Sequence, residues 1–173
     1  MIIVKLNETA ISFAFWEFSI QRYSRVGVAP ICLTLQDEVG LDVNIVLFLL
    51  WVGHQGRKIS GDTAIEKIHS AVGRWHREHV VPLRTVRHAM KGCSHPDPQQ
   101  VEAVRQKLKS VEIEVERLEQ AILSNLFSCG FEKFLLPEAF DARSAMTHNV
   151  SIYLGATEEQ RRAEIEKLVD LCH

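Results

Sequence analysis

Leu35-Gln-Asp-Glu-Val-Gly-Leu-Asp-Val-Asn-Ile-Val-Leu-Phe-Leu-Leu-Trp51 decides how this chain is read. Five polar residues, Gln36, Asp37, Glu38, Asp42 and Asn44, lead into an unbroken apolar run from Ile45 to Val52. Gly40 suits the left-handed position just past a helix end, where a side chain clashes. Asp42 is then placed to cap a new helix, its carboxylate accepting a backbone N–H of the first turn. That helix begins at Val43 and reaches about Gly53. From Ile45 to Val52 it has no polar face, so it is expected to be enclosed on all sides. Eight apolar residues fall far short of the roughly 20 that a bilayer crossing needs. The reading is an all-α helical bundle around a buried central helix at about 43–53.

Working outward, residues 1–8 read as an arm or a short strand. A first helix from about Thr9 to Arg25 carries Ile11, Phe15 and Phe18 on one stripe and Trp16, Ile20 and Tyr23 beside it. An aromatic stripe at this spacing is core packing before it is a ligand platform. Gly27 ends it, and a second helix follows from about Val28 to Val39, with Pro30 in its first turn. After a glycine loop at Gly53–Lys58, Asp62 or Thr63 caps a helix running to about His79, with Ile65, Ile68, Val72 and Trp75 on its apolar face. Pro82 kinks the chain or starts a new helix there.

The longest helix is expected from about Pro98 to Phe127. Val101, Val104, Leu108, Val111, Val115, Leu118 and Ile122 alternate spacings of three and four, a heptad seam of the coiled-coil kind. Asn125 takes the next seam position. Arg105, Lys107 and Lys109 precede Glu112, Glu114, Glu116 and Glu119, so two such helices lying antiparallel would set plus against minus. Pro137 is expected to open a helix to about Leu154, and Thr157-Glu-Glu-Gln reads as a capping box for a last one. The organisation is a helical core at residues 1–127 and a C-terminal helical extension at 128–173, packed on it or dimerising with it.

Composition narrows the function classes. The 173 residues hold 20 Lys/Arg and 22 Asp/Glu, a formal charge of −2, with no global pull toward nucleic acid or membrane. The charge is uneven: residues 53–91 carry eight basic against three acidic side chains, and residues 92–173 nine against fourteen. Cys32, Cys93, Cys129 and Cys172 form no CxxC pair, which leaves a metal or redox motif unsupported. The first residues lack the pattern of a signal peptide, and a reduced, cytoplasmic setting is expected.

Phe15-Trp-Glu-Phe-Ser19, Cys32-Leu-Thr-Leu-Gln-Asp-Glu-Val-Gly-Leu-Asp-Val-Asn44, Leu47-Phe48 with Trp51, and Val81-Pro-Leu-Arg84 with Arg87 and Lys91 resemble a family of small proteobacterial proteins known only as a domain of unknown function. The likeness spans roughly residues 13–125. It implies a bacterial cytoplasmic protein and carries no activity, substrate or catalytic residue with it.

Candidate chemistry is sparse. Gln36, Asp37, Glu38, Asp42 and Asn44 offer oxygen ligands at a helix junction, yet their spacing is not that of a calcium loop, and capping explains them. Asn44 is harder to set aside, because a buried amide needs partners. Arg84 and Arg87, with Lys91, form a basic stripe suited to phosphate or to pairing with the acids at 112–119. His76 and His79 share a helical face that zinc can use, but HExxH order is absent and arginines flank them; no metal and no cofactor is expected. No nucleophile–base pairing stands out, so no catalytic residue is assigned and an enzyme is disfavoured. The reading preferred on sequence is a non-enzymatic interaction or adaptor module, with a protein partner or a second copy docking on the Val101–Ile122 seam, and without nucleic acid or a membrane span. The alternative is a helical enzyme or a binder of an anionic small molecule, its pocket between the Gln36–Asn44 junction and the Arg84–Lys91 helix.

Overall fold

The computed structural model describes residues 8–93 and 97–173, with side chains from residue 14 onward. Among the described residues the protein is all-α: α1 (Glu8–Tyr23), α2 (Val28–Thr34), α3 (Val43–His54), α4 (Asp62–Trp75), α5 (Val81–Ala89), α6 (Pro98–Ser128), α7 (Ala142–Leu154) and α8 (Arg162–Cys172). Two widened, π-helical turns interrupt them. Leu35–Val39 continues α2, and His76–Val80 joins α4 to α5. The β structure among the described residues is one isolated antiparallel bridge, Ile59 to Leu135. No helix among them is long and apolar enough to cross a membrane. The reading of the first residues as an arm or strand lies outside the described residues, apart from Glu8, which opens α1.

α3 is the central element. Gly40 ends the preceding turn at φ 78°, and Asp42 Oδ1 accepts the backbone N–H of Asn44 at 2.8 Å. Every residue from Asn44 to Gly53 is buried. On one side an aromatic group closes over it. Phe15 meets Phe48 edge-on at 5.6 Å, Phe48 meets Phe131 at 5.9 Å, and Trp51 meets Phe127 at 4.9 Å, geometries that the ring quadrupole favours. On the other side α7 runs along α3 in the most extensive helix–helix contact of the molecule. α8 packs on α2 and α7, which places Ile165, Leu168 and Val169 in the same core as Val28 and Cys32. Arg22 and Arg25 each donate to a carbonyl at the end of α8, Cys172 and Leu171, both at 2.6 Å. Cations there also meet the negative end of the helix dipole.

Local details differ from the sequence reading. α7 starts at Ala142, capped by Asp141, whose Oδ1 accepts the Ser144 N–H at 3.0 Å, rather than at Pro137. Thr157 forms no capping box; its hydroxyl donates to the Leu154 carbonyl at 2.9 Å, and α8 begins at Arg162. Gly61, not Asp62 or Thr63, precedes α4. Of the two expectations for Pro82, a kink or a helix start, the second matches the structure. Pro82 sits in the first turn of α5, and the widened turn just upstream makes room for a ring that would otherwise crowd a carbonyl four residues back. One buried polar side chain is wholly structural. Asn149 accepts the Ile59 N–H at 2.9 Å and donates to the Leu49 and Arg57 carbonyls at 3.2 and 3.0 Å, tying the 57–59 loop to α3 and α7.

Gly53 lets α7 approach α3. A Cβ there would lie 2.5 Å from the backbone N and Cα of Met146, atoms that no rotamer change can move. Gly53→Ala is expected to cost about 3 kcal/mol and to lower the melting temperature by roughly 6–12 °C, read by circular dichroism. A variant melting within about 2 °C of wild type would show that the two helices are not held this close.

Candidate functional site

α6 is apolar on the wrong side for an ordinary bundle helix. Its buried positions are Glu112, Glu119, Gln120, Leu123 and Ser124. Of the heptad seam, Val104, Val111 and Leu118 are 46, 47 and 53% exposed, while Val101, Leu108, Val115 and Ile122 are half-buried. The seam therefore lies along the edge of the packed face, and the face itself is polar. Burying carboxylates and amides is unfavourable unless each has a partner, so what meets them defines the site.

Three of these partners converge from distant parts of the chain. His76 Nδ1 lies 2.8 Å from Asp42 Oδ2 and 3.1 Å from Glu119 Oε1. Asp42 caps α3, Glu119 comes from α6, and His76 opens the second widened turn. The Asp42 and Glu119 side chains are 8% and 0% exposed. Asn44 fixes both carboxylates: its backbone N–H donates to Asp42 Oδ1 at 2.8 Å and its side-chain Nδ2 to Glu119 Oε2 at 2.7 Å. Gln120 Nε2 in turn donates to Asn44 Oδ1 at 2.8 Å. The Asp42 N–H donates to the Tyr153 hydroxyl at 3.1 Å. Burial pushes the His76 imidazole down, but the hydrogen bonds and charges of Asp42 and Glu119 outweigh it and raise it to about 10. Burial raises Glu119 to about 7, against the pull of His76 and with the charge of Asp42 adding to the rise. Asp42 stays below its usual range, because His76 outweighs the effect of burial. The contacts thus favour the charged imidazole of His76 and the ionised form of Asp42, while burial favours the neutral acid of Glu119. One oxygen or nitrogen from each of the three lies within 4.8 Å of the others, a grouping able to hold a metal ion.

Beside this triad is a cavity of about 400 Å³ between α1, α3, α5 and α6. Trp16, Ile20, Leu33, Leu47 and Ile113 give it apolar walls, and Asn44 and Gln120 form part of its polar surface. Arg84 and Arg87 also line it, but both are engaged. Arg84 donates to Glu116 Oε1 at 2.7 Å and to Glu112 Oε1 at 3.3 Å. Arg87 donates to Glu112 through Nε and, at 3.1 Å, through Nη2. Burial alone would raise Glu112; the two arginines hold it below the usual carboxylate range. Glu116 is raised, chiefly by burial.

The sequence candidates thus separate. Gln36, Asn44, Arg84 and Arg87 line this same cavity, with Asp42 behind Asn44. Asp37 and Glu38 are exposed; Asp37 accepts from Gln36 Nε2 at 3.1 Å and Glu38 pairs with Arg161. His76 and His79 do not act together. His79 is exposed against the Trp75 ring at 4.4 Å, because the widened turn separates two residues that a regular helix would align. Glu119, Gln120, Glu112 and Glu116 went unread as site residues. Glu112, Glu116, Gln120 and Ser124 recur every four residues, a polar stripe running into the apolar half of α6, and that was the available signal.

Residues 14–123 match a protein family described as "Protein of unknown function (DUF2390)". The match covers well over half of the chain, and the chain belongs to that family. The triad and the cavity-lining residues named here all fall inside the matched stretch, while α7 and α8 lie beyond it. No curated protein and no solved structure matches the chain.

The raised imidazole has a sign that can be tested. Its folded value stands above the ordinary 6.5, so its contribution to stability is complete below pH 6.5 and is lost as pH rises through about 10. In protein stripped of divalent cations, the ring resonances of His76 are expected to stay at their protonated positions from pH 5.5 to 8.5, by NMR. A midpoint near 6.5 would show that the carboxylates do not hold the proton.

Proposed function

We propose that this member of the family binds a small amphipathic molecule in the cavity between α1, α3, α5 and α6. The observation behind this reading is Gln120: it lines the cavity, is 5% exposed, and its Oε1 has no hydrogen-bond partner. A buried acceptor left open costs about 1–3 kcal/mol, a cost that a ligand N–H or O–H would remove. The apolar body of the ligand lies against Trp16, Leu47 and Ile113. Lys109 and His88 line the cavity too. Lys109 stands eleven residues before Gln120 on α6, about 16 Å away by helical rise. Arg84 and Arg87 are already neutralised by Glu112 and Glu116, so an anionic group on the ligand is best placed toward Lys109. Binding is proposed without a chemical step.

The probe for this reading is 8-anilinonaphthalene-1-sulfonate, an aromatic body with one anionic group. It is expected to bind one molecule per chain, with fluorescence enhancement. Ile113→Trp, which fills the cavity from a partly exposed position, is expected to weaken binding at least about tenfold, a loss of about 1.4 kcal/mol, while leaving the melting curve intact. Dye binding that Ile113→Trp leaves unchanged would place it on the outer surface and remove the reading's support.

The outward stripe of Val104, Val111 and Leu118 favours a second reading, self-association through α6. The antiparallel charge pairing expected from sequence has lost most of its acidic half, since Glu112, Glu116 and Glu119 turn inward and pair there. A second copy would be held by the apolar stripe. Light scattering is expected to give a dimer that Val111→Glu with Leu118→Glu converts to a monomer; a wild-type monomer at high concentration would end this reading.

A further inference from the structure

We propose that Asp42, His76 and Glu119 form a binding site for a divalent transition-metal ion, one nitrogen and two carboxylate oxygens on a chain that carries no recognisable metal motif. The inner oxygens, Asp42 Oδ2 and Glu119 Oε1, converge on His76 Nδ1 at 2.8 and 3.1 Å. Donors each about 2.1 Å from one ion stand roughly 3.0–3.4 Å apart, so the longer nitrogen–oxygen spacing already fits, the shorter needs to open by a few tenths of an ångström, and all three donor atoms lie within 4.8 Å of one another. The outer oxygens are already occupied: Asn44 holds Asp42 Oδ1 and Glu119 Oε2 at 2.8 and 2.7 Å. That is how proteins orient carboxylate ligands, by fixing one oxygen and presenting the other.

Charge supports the same assignment. Two carboxylates 8% and 0% exposed face one imidazole, and Arg84 and Arg87 are spent on Glu112 and Glu116. A 2+ ion against two carboxylates and a neutral imidazole leaves no net charge. The donor set selects the ion class: two oxygens and an imidazole suit Zn²⁺, Mn²⁺ or Fe²⁺ rather than Ca²⁺ or Mg²⁺, which take oxygen alone. The site is reached by three distant segments, and both widened turns lie next to it, one ending just before Asp42 and the other beginning at His76. Such turns recur where a side chain must be re-aimed at a functional site.

The test uses the full chain stripped with EDTA and titrated with ZnCl₂ and MnCl₂ in a calorimeter. One ion per chain is expected. His76→Gln and Glu119→Gln are expected to abolish binding, Asn44→Ala to weaken it roughly 10–100-fold, and His79→Gln to leave it unchanged. Should the buried variants fail to fold, a second measurement stands on wild type alone: substoichiometric Mn²⁺ is expected to broaden the NMR signals of His76, Asp42 and Glu119 before any others. No binding, broadening centred elsewhere, or equal loss in His79→Gln would overturn the proposal. No cavity ligand enters these measurements, so their failure would leave the small-molecule reading standing, and the reverse holds as well.

Discussion

A carboxylate taken out of water needs a partner, and this structure meets that requirement twice at the start of α3. Asp42 and Glu119 are held by one asparagine and one histidine. From that knot the rest follows. α3 can be apolar from Ile45 to Val52 because the polar groups at its entrance, Asp42 and Asn44, are satisfied in its first turn. α6 can present carboxylates and amides inward because Asn44, His76, Arg84 and Arg87 are there to receive them. The cavity lies between this polar layer and the apolar flank of α1.

The central helix was legible because eight successive apolar residues leave no second interpretation, and Gly40 and Asp42 mark its entrance with residue types that few other positions need. The family resemblance was legible for the same reason, since its densest block includes this junction. The triad was not. His76 and His79 were paired by assuming 3.6 residues per turn, and a widened turn breaks that assumption without leaving a mark in composition. Glu119 was read as one of several acids that would pair with a basic partner, because the valines and leucines around it repeat at heptad spacing. Periodicity reports which residues share a face; it does not say which face meets the core. α6 is the case in which the more polar face won, because the surface it packs against is polar. Pro137 and Asp141 both suit a helix start, and the later one prevails.

The matched family stretch and the packing do not share a boundary. α7 makes the largest contact with α3 and lies outside residues 14–123. Met146, Val150 and Leu154 cover a face of α3 that would otherwise meet water. The site residues belong to the matched stretch, and part of the enclosure that gives them a dry setting comes from elsewhere in the chain. Tyr153 makes the link concrete, reaching from α7 to accept the N–H of Asp42.

The turn at His76–Val80 has an arithmetic consequence. A π turn stores one surplus residue, so α4 and α5 are out of phase by about 100° relative to an unbroken rod. α4 can then point Ile68 and Val72 into the core while α5 offers Arg84 and Arg87 to α6. Chain length between Trp75 and Val81 becomes a coding property in its own right. Dropping a single residue there, whichever one, would wind the spacer back to an ordinary α-turn and swing one half of the rod against the other. Substitutions in this spacer alter a side chain; a deletion re-indexes every side chain that follows.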